Sequence, residues 1–357
     1  MQYRTIQGTD LSVSTLGFGN FTFGVNWWRD STDEESAEIH NYAFDQGVNF
    51  FDTAPAYGNG LAEARMKPVI AYAGRDNLVI STKFGYDLGV DPGEEGSHRE
   101  RKQNFDPDFI RLDCENSLKN MGIDCIDLYQ SHNIKLPQMT DELFEVLNAL
   151  KDEGKIKAWG LALGPAIGWR EEGHEGFIKH DAAVIQNVFN VYEQDLGLEL
   201  CEIAAQRGRG GVISRVPTNS GILDEEFADV NHKFPPNDHR KFRDRAWLVY
   251  GLQKNEVLRP FAEEVGLSLR QFAFAWLASQ PGMVSIEPNI LWKKDIDDFA
   301  SAADAPALPA DMLARVRELY LNNFGLGEEA HPCDHKSSTD ASGAVKSMYV
   351  KPELMNV

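Results

Sequence analysis

An aspartate, a tyrosine, a lysine and a histidine stand at or just beyond the ends of three successive apolar segments of this chain. Val48-Asn49-Phe50-Phe51-Asp52 ends in an acid, and Tyr57 follows a short turn in a Gly-rich loop. Val79-Ile80-Ser81-Thr82-Lys83 ends in a lysine, and Ile126-Asp127-Leu128-Tyr129-Gln130-Ser131-His132 in a histidine. Tyrosine, with a pKa of ~10, keeps its proton at neutral pH, and an adjacent ammonium favours the phenolate and lowers that value. An aspartate paired with the lysine would hold it in place, and a histidine could orient a carbonyl oxygen by donating to it. Such a set suits proton delivery to a carbonyl that receives hydride, and hydride needs a cofactor. Singly, each residue has an ordinary explanation: Asp52 caps a turn, Tyr57 packs in a loop, Lys83 is solvated, His132 is a core histidine. Placed together at three strand ends, they point to chemistry.

The elements that must position them alternate. Tyr3 to Val13 reads as a hairpin around Gly8-Thr9-Asp10, and Ser14 to Gly19 as a short strand. Thr32-Asp33-Glu34-Glu35 opens a helix with a capping box. Strand Val48–Asp52 leads to a helix from Leu61, strand Leu78–Thr82, helix Pro107–Met121 and strand Ile126–Gln130. Helix Thr140–Glu153 and strands Ile156–Leu161 and Ala183–Gln186 follow, then helix Gly197–Arg207 and strand Gly211–Ser214. A helical pair over Asn255–Ser279, strand Met283–Ile286 and helices Lys293–Ala302 and Pro309–Leu321 complete the pattern. About eight β-α units imply a parallel sheet closed as a (β/α)8 TIM barrel, a fold of ~250 residues. Residues 1–324 read as one barrel domain and 325–357 as an irregular tail. Long loops follow the third strand (Phe84 to Asp106) and the seventh (Arg215 to Leu252), on the face where barrel enzymes place their sites.

The bulk properties narrow the class. The chain has 357 residues with 35 basic and 55 acidic side chains, a net charge of −20. That balance argues against binding to nucleic-acid backbones or anionic membrane surfaces. No apolar run approaches the ~20 residues of a membrane span, and Met1 to Thr5 carries no signal-peptide core. A cytoplasmic protein is expected. Cys114, Cys125, Cys201 and Cys333 form no CxxC pair and read as reduced thiols. His331, Cys333 and His335 in the tail lack a fourth ligand at recognisable spacing, so no metal site is expected.

Several motifs resemble the aldo-keto reductase family. They are Phe51-Asp52-Thr53-Ala54-Pro55-Ala56-Tyr57-Gly58, Ser81-Thr82-Lys83-Phe84-Gly85 and Asp127-Leu128-Tyr129-Gln130-Ser131-His132-Asn133. Leu16-Gly17-Phe18-Gly19, Glu153-Gly154-Lys155-Ile156 and Val184-Ile185-Gln186-Asn187 join them, so the likeness runs from about residue 3 to residue 322. It implies an oxidoreductase that uses NADP(H), or alternatively NAD(H), on a small carbonyl compound or sugar. It casts Tyr57 as general acid, Lys83 as the group lowering its pKa, Asp52 as the partner of Lys83, and His132 as the orienting group. Gln186 would contact the nicotinamide carboxamide, and Asn20 and Phe21 would line the nicotinamide end. Trp27, Trp28 and Asn133 are candidate pocket walls.

The cofactor half departs from the family. Its polar Ser-Asn pair after the fifth strand is replaced within Gly160-Leu161-Ala162-Leu163-Gly164. Arg215 stands where many members stack an aromatic on the nicotinamide, and a guanidinium plane can stack too. The Pro217-Thr218-Asn219-Ser220-Gly221 turn could offer amides to a pyrophosphate, but Glu225-Glu226 replaces the usual Gly-Lys beyond it. Asn289 opens the segment of the adenosine motif, whose key positions are Leu291, Asp295 and Phe299; Lys293 and Lys294 are either 2′-phosphate ligands or solvated lysines. Two other functions stay open: a non-catalytic nucleotide-sensing subunit, like the cytosolic β subunits of potassium channels, or a cofactor-independent sugar lyase, isomerase or epimerase.

Overall fold

The computed structural model describes residues 1–90, 101–164 and 169–330, and two short strands beyond them. The hairpin pairs β1 (Tyr3–Thr5) with β2 (Ser12–Ser14) antiparallel, ahead of eight parallel barrel strands. These are β3 (Phe18–Gly19), β4 (Phe50–Asp52), β5 (Val79–Phe84), β6 (Ile126–His132), β7 (Ile156–Ala162), β8 (Val184–Val188), β9 (Gly211–Arg215) and β10 (Met283–Glu287). They lie side by side in chain order. The amide of Gly17 donates to Ile286 O and that of Ile286 to Thr15 O, both at 2.9 Å, which brings the last strand to the first and closes the barrel.

Alternation along the strands decides what fills the barrel. At one end Phe50, Val79, Leu128, Ala158, Val184, Ile213 and Val284 pack with Ile6, Leu11 and Val13 of the hairpin, which plugs that end. The intervening Phe51, Ile80, Tyr129, Leu161, Ile185 and Val212 face outward into the larger core under the helices. Two residues further along the inner face, apolar groups give way to Asp52, Ser81, Gln130, Gln186 and Arg215. Two more steps bring Lys83 and His132. In β10 a register irregularity between Met283 and Ser285 turns Glu287, rather than Ile286, to the inner face. The polar groups therefore collect at the C-terminal end of the barrel.

The helices of the outer ring show where sequence and structure part. Thr32 caps α2 (Asp33–Asp45) in the expected capping box with Glu35. The helix from Leu61 breaks into α3 (Leu61–Ala64) and α4 (Lys67–Ala73), because Pro68 can restart a helix but not continue one. No helix was expected between the strands at Ile156 and Ala183, yet α7 (Arg170–His174) runs into a π-turn, Glu175–Lys179. Glycines hide it from propensity. Gly176 is nevertheless required, since a Cβ there would stand 2.5 Å from Leu161 Cδ1. The loop after β9 ends at Asp244, not Leu252, because helix α9 (Arg245–Glu264) begins on the Asp244 cap. The tail expected to be irregular contains a 3-10 turn, Glu328–Ala330, and an antiparallel pair, Ser338–Thr339 with Val345–Lys346. His331, Cys333 and His335, and residues 91–100 of the first long loop, lie outside the described residues. No helix among the described residues is long and apolar enough to cross a membrane.

Candidate active site

The four residues singled out by spacing converge. The Lys83 ammonium is fully buried and donates to Asp52 Oδ2 and, at 2.9 Å, to Thr53 O. Gln130 Nε2 donates to Asp52 Oδ1 at 3.2 Å and to Ser81 Oγ at 2.8 Å, so the carboxylate is gripped from two strands. The ammonium lies 5.1 Å from the centre of the Tyr57 ring, and the His132 ring meets Tyr57 edge-on at 5.7 Å. Burial alone would depress the Lys83 pKa, but Asp52, Tyr57 and Glu287 outweigh it and raise it above the ordinary lysine value. Burial, with Lys83 and Arg215 nearby, keeps His132 well below the usual histidine range and hence neutral.

Tyr57 corrects one expectation. Lys83 does pull its pKa down, but burial is the larger effect and the net shift is upward. The phenol holds its proton more firmly than a free tyrosine. Its loop is held by close packing rather than by long side chains. Gly58 has φ +67°, and a Cβ there would lie 2.2 Å from Gly24 O. Gly58→Ala therefore displaces the Tyr57 turn. We expect kcat to fall roughly 10²-fold while circular dichroism retains the folded signature.

The candidate pocket walls Trp27, Trp28 and Asn133 lie in contacts around this centre. Phe21 meets Tyr57, Trp27 and Trp28 edge-on at 5.0, 4.9 and 5.7 Å. His239, from the loop after β9, stacks on Trp27 at 4.3 Å. That loop thus reaches across to the loop after β3, and Asn237 Nδ2 fixes the contact by donating to Asn26 O at 2.6 Å. Asn133 is committed at both ends of its amide: it donates to Tyr86 Oη at 2.7 Å and accepts from Arg215 at 3.4 Å. Asn20 also braces the scaffold, donating to Asp52 O at 3.1 Å and accepting from His40 Nε2. His40, held near pKa 4 by burial, is neutral and completes that brace beneath the site.

The cofactor half is built differently from the family pattern. Arg215 reaches back to donate to Leu163 O, and Gln186 Nε2 donates to Glu287 Oε2 at 2.9 Å. Glu287 went unnoticed in the sequence because the strand was expected to end at Ile286 and its irregularity reverses the alternation. Val216 has φ +57°, a left-handed conformation rare for a β-branched residue, so the chain beyond Arg215 leaves the barrel through a strained turn. The turn from Pro217 to Gly221 offers less than expected, since the amides of Asn219 and Gly221 donate to Val216 O and Thr218 O. Beside Gly221, Glu226 pairs with Arg240 at 2.6 Å, and Glu225 with Arg259 at 3.0 Å.

Further out, Asn289 leads from β10 to the turn before α11 (Lys293–Asp304). Asp295 Oδ2 accepts from the amides of Leu291 and Trp292 at 3.0 and 2.9 Å, capping that helix. Arg270 is surrounded by Asp224, Asp295 and Asp298, at 3.2 to 3.3 Å. Lys293 pairs with Glu38 at 2.5 Å.

With this geometry in place, likeness to known proteins becomes informative. The pattern that defines the Aldo/keto reductase family matches residues 15–321. A probable voltage-gated potassium channel subunit beta of Arabidopsis thaliana is 27% identical over 332 residues, covering 89% of this chain and 96% of the relative. An NADH-specific methylglyoxal reductase of Escherichia coli (strain K12) is 26% identical over 317 residues, covering 85% and 94%. The solved aldo-keto reductase from Bacillus halodurans superposes with a TM-score of 0.71 at 20% identity, over 89% of this chain and 96% of that one, a likeness of fold. The family match spans every barrel strand and all four converging residues, and the chain belongs to the aldo/keto reductase family.

Proposed function

We propose that this protein is a nicotinamide-dependent oxidoreductase that interconverts a carbonyl and an alcohol on a sugar or small aldehyde or ketone, with Tyr57 as the proton donor. The observation that carries this reading is the buried Lys83–Asp52 ion pair beside a protonated Tyr57 and a neutral His132. A bound nicotinamide would supply or accept the hydride. Tyr57 Oη–H gives its proton to the carbonyl oxygen as charge builds there. Lys83, fixed by Asp52 and Thr53 while Gln130 holds the Asp52 carboxylate, steadies the phenolate that remains. Neutral His132 can donate a hydrogen bond to the same oxygen without adding a charge. Buried Thr53 Oγ1, Arg215 Nε and Glu287 Oε1 have no hydrogen-bond partner among the described residues, and such a donor and acceptor set fits a polar ring ligand at the barrel mouth. The Phe21, Trp27, Trp28 and His239 cluster supplies the flat apolar surface on which the carbon face of a sugar can rest.

The charges favour NAD(H) over NADP(H). Lys293 is engaged by Glu38 and Arg270 is enclosed by three acids, which leaves exposed Lys294 to meet a 2′-phosphate. The Escherichia coli relative is named for NADH. Fluorescence titration is expected to give a lower Kd for NADH than for NADPH, by roughly tenfold or more, because like charge set against carboxylates is costly. Turnover of aldehydes and sugars is then followed with the preferred dinucleotide. Failure to bind either at millimolar concentration overturns the reading. The Arabidopsis relative is named a potassium channel subunit beta, which favours a second reading, a non-catalytic binding subunit. Binding without turnover of any carbonyl substrate, in a protein whose Tyr57→Phe variant behaves identically, would select it.

A further inference from the structure

The ends of β9 and β10 hold an arginine and a glutamate that oppose each other in register, Glu287 to Arg215. Among the described residues no ion pair joins them. Arg215 spends Nη2 on Leu163 O and Asn133 Oδ1, and Glu287 spends Oε2 on Gln186. What remains is a donor, Arg215 Nε, and an acceptor, Glu287 Oε1, both buried and both without a hydrogen-bond partner among the described residues. Glu287 is 8% exposed. Buried polar atoms left unpaired cost enough that native proteins rarely keep them without a ligand, water or task. At the end of β7, two strands from β9, Leu161, Ala162 and Leu163 bring no polar side chain to this level.

A group that satisfies both atoms must accept one hydrogen bond and donate another from adjacent positions. A primary carboxamide does this with its C=O and N–H. We propose that Arg215 Nε–H and Glu287 Oε1 hold the nicotinamide carboxamide, Arg215 on its oxygen and Glu287 on its nitrogen. This pair takes over the task of the missing Ser-Asn groups. The assignment rests on the nicotinamide-binding reading above and extends it to two residues of this chain. The contact to Leu163 O fixes the guanidinium so that Nε remains available, and the Gln186 bond fixes the carboxyl in the same way. Burial and the nearby Asp52 push the Glu287 pKa well above the ordinary carboxylate range, and in either protonation state the group retains an acceptor for an amide N–H.

The test compares NADH with reduced 3-acetylpyridine adenine dinucleotide, whose methyl ketone keeps the oxygen and lacks the N–H. The readout is the binding constant, from fluorescence or calorimetry. The wild-type protein is expected to bind NADH about 2- to 10-fold more tightly than the acetylpyridine analogue, the range of a hydrogen bond between neutral groups. Glu287→Ala removes that preference by weakening NADH alone. Glu287→Gln, which keeps an acceptor oxygen, restores most of it and guards against a folding defect in the alanine variant. Arg215→Met weakens both ligands alike, because both carry the oxygen. An unchanged preference in Glu287→Ala overturns the assignment and leaves a water as the occupant. If the wild-type protein binds neither ligand, the nicotinamide reading itself falls and takes this assignment with it.

Discussion

Tyr57→Phe is expected to lower kcat for carbonyl reduction by about 10²- to 10⁴-fold, the range for loss of a positioned general acid. Dinucleotide affinity should change by less than about twofold, because the lost contact belongs to the transition state rather than to ground-state binding. The ring itself survives, with its edge-on contacts to Phe21 and His132. Steady-state kinetics together with a fluorescence titration check both halves. Retained turnover would remove Tyr57 from the chemistry. The pH profile carries a sign as well. The acid must be protonated to act, and burial raises its pKa, so reduction holds through neutral pH and declines only as pH rises through that raised value.

Lys83→Met has the second large effect, and it reaches stability as well as rate. The substitution leaves the Asp52 carboxylate buried with no cation, although Gln130 still donates to it. Breaking a buried pair from one side costs about 3–5 kcal/mol. A urea unfolding midpoint well below wild type is expected, with reduction lost as well. The double variant Asp52→Asn/Lys83→Met removes the orphaned charge, so it recovers stability without recovering activity. Equal stability of the single and double variants would contradict the pairing. Linkage gives an independent check. The folded Lys83 pKa lies above its unfolded value, so the pair's contribution is complete below the unfolded lysine pKa. It is lost as pH rises through the folded value.

Much of the barrel was legible because its elements obey local rules. Apolar runs alternate with capped amphipathic segments, and helix α5 (Pro107–Met121) falls on the expected bounds. Asp52, Lys83 and His132 were legible because each lies on the inner face at, or one residue short of, the end of its strand. Ser81 and Gln130, in the layer of Asp52, share that alternation but have ordinary residue types, so only their bonds to Asp52 or to one another reveal them. Glu287 was hidden for a different reason: an irregularity in β10 inverts the face that simple alternation assigns. The aromatic wall was half visible. Trp27 and Trp28 stood out, but His239 comes from a loop more than two hundred residues away, and no local pattern brings it there. The sign of the Tyr57 shift was not legible either. Sequence shows the lysine but not the burial that outweighs it.

The central claim is that Tyr57 and a nicotinamide together reduce a carbonyl at the mouth of this barrel. The most direct measurement uses a dinucleotide deuterated at C4 of the reduced ring, with a carbonyl substrate found in the turnover screen, and mass analysis of the alcohol. The predicted result is one deuterium on the former carbonyl carbon in wild-type product, formed at least about 10²-fold more slowly by Tyr57→Phe. Product that forms without deuterium, or without any dinucleotide, would contradict it.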